Sequence, residues 1–198
     1  MLVLYTHPMP HRSRLNRPMA EAARDVDGVT VHELYEAYPD LFINVRHEQQ
    51  LLLAHDVIVW QHPLYWYSTP SLLKEWQDVV LTYGWAFGHD GDALRGKLLL
   101  QAVTVGGSHR SYQHDGDHGC TLTELLVPVA QTAKLCGMTY SPPFAAYRVH
   151  KYGRAQIREH VERYQSLLEA LADPNLDLDA WALEGPPTSV RHLLSESQ

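Results

Sequence analysis

The sequence predicts a three-layer α/β fold in which a five-stranded parallel sheet lies between two layers of helices. Five short apolar or β-branched runs, at residues 2–5, 29–34, 57–61, 98–105 and 138–147, recur along the chain, and several lack polar alternation. Strands buried on both faces have that character. Between the runs, apolar residues return every three or four positions, and such alternation of strand and helix forces parallel strands joined by right-handed crossovers. With 198 residues, 45% of them hydrophobic, the chain can fill one core of this kind but not comfortably two.

The first strand pattern begins directly after Met1, which leaves no room for a charged leader with an apolar signal segment. Leu15, Met19, Ala22 and Val26 then mark a first helix. Residues 44–55 can form another, with Asn44 as N-cap and Leu51, Leu52 and Leu53 as its apolar face. Thr69-Pro70 offers a cap and a first-turn proline for a helix whose stripe is Leu72, Leu73, Trp76, Val79, Val80 and Tyr83. Leu122, Leu125, Leu126, Val129 and Ala133 form the next stripe, with Gly137 at the C′ position. In the last helix Ile157, Val161, Tyr164, Leu168 and Leu171 face inward, while Arg158, Glu159, Glu162 and Arg163 stay outside.

Five such units give a flavodoxin-like layout with strand order 2-1-3-4-5. The ligand crevice of a doubly wound sheet lies at the carboxyl ends of the strands where the winding reverses, which gathers the loops after strands one, three and four. This domain spans residues 1–172. Residues 173–198 carry Pro174, Pro186 and Pro187 and the acids Asp173, Asp177, Asp179, Glu184 and Glu196 against Arg191, and so predict a mobile acidic tail. Within it, Trp181 and the patch 190–194 are the only candidates for docking.

A net charge of -7 and no dense Lys/Arg run exclude nucleic acid as a partner. Cys120 and Cys136 are not spaced as a metal pair and form no disulfide framework, which fits a reducing cytoplasm. No apolar run reaches membrane-spanning length, so membrane association would be peripheral or through a protein partner.

The three gathered loops carry the chemistry. The first, His7-Pro8-Met9-Pro10-His11-Arg12-Ser13-Arg14-Leu15-Asn16, has a helix start, the Ser13 hydroxyl and two arginines, the components that hold a phosphate. Capping by Ser13 beside solvated arginines is the plainer alternative. The GxGxxG and GK[ST] spacings are absent, so a monophosphate suits it better than a pyrophosphate. The second, Gln61 to Pro70, places Tyr65, Trp66 and Tyr67 where a strand hands over to a helix, a position suited to a flat conjugated ligand, unless the rings pack under the helix or on a second subunit. The third leaves its strand as Thr104-Val105-Gly106-Gly107-Ser108, where glycines let backbone approach a ring closely, and continues through Tyr112, His114, Asp115, Asp117 and His118. With Cys120 those acids and histidines lack the further ligands of a calcium loop, and no metal is expected.

The segments YTHPMPHRSRLN, VWQHPLYWYSTPSLLKEWQDVVLTYGWAFG, LRGKLLLQAVTVGGS and LCGMTYSPPF together resemble the NAD(P)H:quinone oxidoreductase family of flavodoxin-like flavoproteins, over about residues 2–172. They are most similar to the ancillary reductases of the glutathione-gated potassium-efflux (Kef) systems of bacteria. The resemblance implies FMN rather than FAD, with phosphate and ribityl chain held by His7, Ser13, Arg14, Leu15 and Asn16. Its ring would lie against Pro63, Leu64, Tyr65 and Trp66 and touch Thr104, Val105, Gly106 and Gly107. The family's Thr-Thr-Gly-Gly is Thr-Val-Gly-Gly here, which keeps backbone donation and loses a hydroxyl at Val105. Tyr112 and His118 fall where larger members place a Tyr and a His that settle charge during hydride transfer from NAD(P)H. The implied activity is two-electron, ping-pong reduction of a quinone. The surplus of Trp76, Tyr83, Trp85 and Phe87 further suggests a homodimer. Two alternatives are a regulatory subunit that activates a potassium efflux transporter and a one-electron carrier.

Overall fold

The computed structural model describes residues 1–194. Strands β1 (Leu2–Tyr5), β2 (Thr30–Glu33), β3 (Val57–Pro63), β4 (Leu98–Thr104), β5 (Thr139–Tyr140) and β6 (Phe144–Ala146) form one parallel sheet in the order β2-β1-β3-β4-β5, with β6 also paired to β4. Successive residues of the central strands enter opposite cores. Leu2, Leu4, Ile58, Trp60 and Leu99 pack with one helical layer, and Val3, Val57, Val59, Leu98 and Leu100 with the other. That two-sided burial is why these runs lack polar alternation.

The first layer consists of α2 (Leu34–Ala37), α3 (Val45–Leu53), α4 (Ser71–Val80) and α6 (Val127–Leu135), whose Leu34, Leu52, Trp76 and Ala133 meet the sheet. The second consists of α1 (Asn16–Ala23) and α7 (Arg154–Leu171), joined by α8 (Leu178–Glu184) and α9 (Thr188–Leu194). Asn44 caps α3 as expected, its Oδ1 accepting the His47 N–H at 3.1 Å, and Gly137 takes a φ of +71° just past α6.

Several expectations are corrected. The run 138–147 is two strands, because Pro142 and Pro143 have no N–H for the ladder and open it between Tyr140 and Phe144. The run 29–34 stops at Glu33, since Leu34 begins α2. The single helix over 122–133 is a short α5 (Leu122–Leu125) followed by α6, with Pro128 in the first turn of the second. Thr69 does not cap α4; Pro70 occupies the cap position and the Thr69 hydroxyl is buried without a partner. Of the proposed face of α3 only Leu52 is buried, and Leu53 is exposed. Arg163 does not stay outside: its guanidinium lies 4.7 Å from the Phe144 ring centre and donates to the Leu193 carbonyl. Trp76 is wholly buried, and Trp85 and Phe87 are partly buried against the same core, which removes three of the four rings that suggested a dimer surface.

The segment after residue 172 is not a loose tail as far as Leu194. Trp181, Val190 and Leu194 are buried in the second core, so α8 adds its Trp181 to that core and α9 docks against α7 and β6. Glu196 lies outside the described residues.

Candidate functional site at the strand ends

At the carboxyl end of β1 the chain leaves the sheet through Thr6 and His7. The His7 Nδ1 accepts the Met9 N–H at 3.1 Å, and burial, helped by nearby His11, pulls the imidazole down to a pKa of about 4, so the ring is neutral at pH 7. Ser13 Oγ accepts the Arg17 N–H at 3.1 Å, the local cap expected as the plainer reading. Leu15 is core, leaving only its backbone to the loop. Arg14 reaches across to the turn before α7, donating to the carbonyls of His150 and, at 2.6 Å, Tyr152.

Asn16 begins α1 and is almost wholly buried. Its Nδ2 donates to Thr104 Oγ1 at 2.6 Å, while its carbonyl accepts the Gln61 side chain at 2.6 Å. Gln61 Oε1 in turn accepts the Tyr164 hydroxyl at 3.1 Å. A second chain runs from the Tyr140 hydroxyl to Gln101, from Gln101 to His62 Nε2, and from His62 Nδ1 to the Pro63 carbonyl. These glutamines and tyrosines were missed as positioning residues, although Gln61, His62 and Gln101 interrupting apolar strands is a readable signal. Buried amides in fully buried strands need partners, and here the partners fix the first and second loops.

The two aromatic-loop residues after Tyr65 carry backbone strain. Trp66 and Tyr67 have φ of +50° and +64°, and Tyr65 and Ser68 exchange both backbone hydrogen bonds at 3.0 Å. Two-residue turns with both central φ positive normally use Asn and Gly; bulky side chains there cost on the order of 1–2 kcal/mol each. The turn leaves Trp66 93% exposed, so its ring stands in solvent. Leu64 donates its N–H to the Thr104 carbonyl at 2.9 Å, joining the second loop to the third. His7 contacts Tyr65 edge-on at 6.0 Å, joining the second to the first.

In the third loop Val105 points into the core and its N–H donates to the Ala146 carbonyl at 2.8 Å. The backbone donation expected at Val105 is therefore already used, and any donor toward a ligand comes from the glycines. Gly107 is required by crowding, since a Cβ would meet Tyr112 at 2.9 Å and His118 at 3.0 Å. Gly106 faces open space. The Tyr112 and His118 rings lie 4.4 Å apart between centres with their planes tilted by 38°, and His118 meets Tyr67 edge-on at 5.5 Å. Burial, with a smaller contribution from Tyr67, raises the Tyr112 phenol above its ordinary pKa, keeping it a donor at neutral pH.

Among the described residues, the one group of three side chains close enough to share a metal is His32, His47 and Glu48, remote from the 114–120 loop. Glu48 is fully buried and accepts from His32 at 2.8 Å, Tyr38 at 2.5 Å and Trp76 at 2.8 Å.

The strand ends thus present a cradle: an open face at Gly106, an Asn16 Oδ1 and a Thr6 hydroxyl buried without partners among the described residues, and a ring pair at one rim. A polyhydroxylated chain bearing a flat ring matches this set of polar groups, an amide oxygen that accepts and a hydroxyl that can do either. The family model for the flavodoxin-like fold matches residues 1–168. An uncharacterized NAD(P)H oxidoreductase of Bacillus subtilis, YdeQ, is 48% identical over 163 residues, 82% of this chain and 83% of its own. General stress protein 14 of Treponema denticola, solved in complex with FMN, superposes with a TM-score of 0.79 at 42% identity, covering 87% of this chain and 97% of its own. An NADPH-quinone reductase from P. pentosaceus gives 0.76 at 33% identity, covering 83% and 95%.

Proposed function

The chain belongs to the flavodoxin-like NAD(P)H oxidoreductase and quinone reductase family, and on that premise we propose that it is an FMN-dependent NAD(P)H:quinone oxidoreductase working by a ping-pong cycle. The observation that carries this reading is the convergence of the open Gly106 face, the unpartnered Asn16 Oδ1 and the Tyr112–His118 pair on one strand edge. FMN, when bound, supplies the two-electron chemistry between nicotinamide and quinone.

The protein's own residues orient, shield and hold protons. Asn16, fixed by Thr104 and Gln61, turns Oδ1 toward a ribityl hydroxyl. Neutral His7, with Nδ1 occupied by Met9, leaves Nε2 to donate toward the phosphate end, and Arg14 braces that loop instead of floating as a counter-ion. Pro63, Leu64 and Tyr65 floor one side of the ring. The Tyr112 hydroxyl and the His118 imidazole act as donors where negative charge gathers, on the bound cofactor's edge or on a quinone oxygen. NAD(P)H and quinone occupy the same open face by turns.

The exposed rings of Tyr83, Trp66 and Tyr67 are the remaining support for a homodimer that walls the site. The potassium-efflux reading rests on the sequence resemblance, and co-purification with such a transporter would be its test. The main test is the visible spectrum of the purified protein with identification of the released flavin, followed by NAD(P)H oxidation with a quinone. Yellow protein releasing FMN and turning over quinone is the expected result; a colourless protein that takes up no added flavin overturns the reading.

A further inference from the structure

A cavity of about 730 Å³ opens behind the double-glycine loop, between the turn at Ser108 to Arg110, the stretch from Ala145 to Tyr152 and the first half of α7. Its charges are unusual for a chain of net charge -7. Arg110, Arg148, Lys151 and Arg163 line it, and Glu159 is the one acid among the lining residues. Tyr147 and Tyr152 supply aromatic walls. Arg148 is held at a φ of +54°, where its N–H donates to the Gly107 carbonyl at 3.0 Å. His160 lines the same cavity with its ring against Phe144, and its buried Nε2 has no partner among the described residues. Arg110 is engaged by Asp115 at 2.7 Å, but both are well exposed and such a pair is readily exchanged.

The cavity borders the strand-end site. The Tyr147 ring lies 5.8 Å from Tyr112 and 5.3 Å from His109, and Arg14 ties the first loop to the carbonyls of His150 and Tyr152 at the cavity's edge. Its volume is that of a small-ligand pocket. Several guanidinium and ammonium groups around aromatic walls suit a phosphomonoester dianion carried on a base, with the buried imidazole nitrogen left to meet a polar edge.

We propose that this cavity receives the 2′-phosphoadenosine end of NADPH and makes the protein select NADPH over NADH; this rests on the nicotinamide being oxidised at the strand ends. An adenosine diphosphate group, as in FAD, shares the base and phosphates but lacks the 2′-phosphate, and the test separates the two. The FMN-loaded protein is titrated calorimetrically with 2′,5′-ADP and with 5′-ADP, and KM is measured for NADPH and NADH, in the native chain, in Arg148→Gln/Lys151→Gln and, on an exposed turn, in Arg110→Gln. The expected result is at least tenfold tighter binding of 2′,5′-ADP than of 5′-ADP. The double variant should lose that preference and raise the NADPH KM tenfold or more, with the NADH KM changing less than twofold and FMN retained; Arg110→Gln should move the same values in the same direction by a smaller factor. Equal binding of the two nucleotides, or an unmoved NADPH KM in both variants, overturns the proposal. So does weakened retention of flavin in the variants, which would give the cavity to the flavin. If the protein oxidises neither nicotinamide yet binds 2′,5′-ADP selectively, and the double variant abolishes it, the oxidoreductase reading falls and the phosphoadenosine site stands.

Discussion

Two polar regions of this protein solve opposite problems. Around Glu48 a fully buried carboxylate receives three hydrogen bonds, from His32, Tyr38 and Trp76, drawn from one strand and two helical segments. Burial alone would push its pKa up; those donors outweigh burial and hold the carboxyl below its ordinary value. At the strand ends the reverse holds. Asn16 Oδ1 and the Thr6 hydroxyl are buried without partners, two aromatic residues sit at positive φ, and Trp66 stands in water. A saturated polar cluster holds a fold in one state, whereas unsatisfied groups together with backbone strain are marks of a place where a ligand can supply what is missing.

The comparison can be broken most directly at Glu48. Glu48→Gln should destabilise the protein by about 3 kcal/mol, because three donors lose their charged acceptor inside the core. Denaturant unfolding measures it, and the flavin affinity of the folded fraction should stay within twofold. Destabilisation near zero would mean that the saturated cluster holds nothing.

At the other pole, Tyr112→Phe or His118→Gln should lower turnover about 100-fold, equivalent to ~2.7 kcal/mol of transition-state stabilisation, while moving the melting temperature little. A large stability loss with unchanged turnover per folded molecule would place the ring pair on the structural side.

Acid unfolding should distinguish the two regions by their pH windows. His62, His7 and His160 are each pulled down to about 4 by burial, so the unfolded chain binds more protons between pH 4 and 6.5. Their contribution is fully present above pH 6.5 and is lost as pH falls toward 4. The contribution of ionised Glu48 is present above pH 4.5 and drops only below it. His62→Gln should therefore flatten the stability curve in the upper window, and Glu48→Gln in the lower, when unfolding is followed from pH 7 to 3.

The smallest effect has the most informative sign. Trp66→Gly should stabilise the fold by about 1 kcal/mol, since glycine takes a positive φ without strain, and should weaken flavin or substrate binding. A destabilised variant would show that the exposed ring is held by something other than function.

How much of this was legible in the sequence depended on whether a signal was local. Leu2 to Tyr5, Ile58 to Trp60 and Leu98 to Leu100 announce themselves because each residue is buried whichever way it points. The three loops could be gathered from topology alone, since parallel strands put their carboxyl ends on one edge. Trp66 and Tyr67 could not reveal their positive φ, which turn closure and the Leu64–Thr104 bond impose. Trp76 reads as a surplus aromatic until its indole meets Glu48, 28 residues away. Gln61 likewise gains its meaning from Tyr164, and pairings of that range leave no periodic trace. The helices after residue 172 were hidden by prolines and acids that mark their ends, while Trp181, Val190 and Leu194 supplied the burial.

The bracing of the first loop has a consequence for the order of assembly. Arg14 is held by carbonyls 136 and 138 residues later, and Asn16 is steadied through Gln61 by a tyrosine 103 residues beyond that glutamine. A growing chain that has passed His118 already contains all three loops, yet the contacts that set their spacing arrive with α7 and the turn before it. Closing such distant contacts is slow and comes after local structure. Cofactor capture is therefore a late event in the life of the polypeptide, and chains released before α7 is complete should emerge folded in part but without flavin.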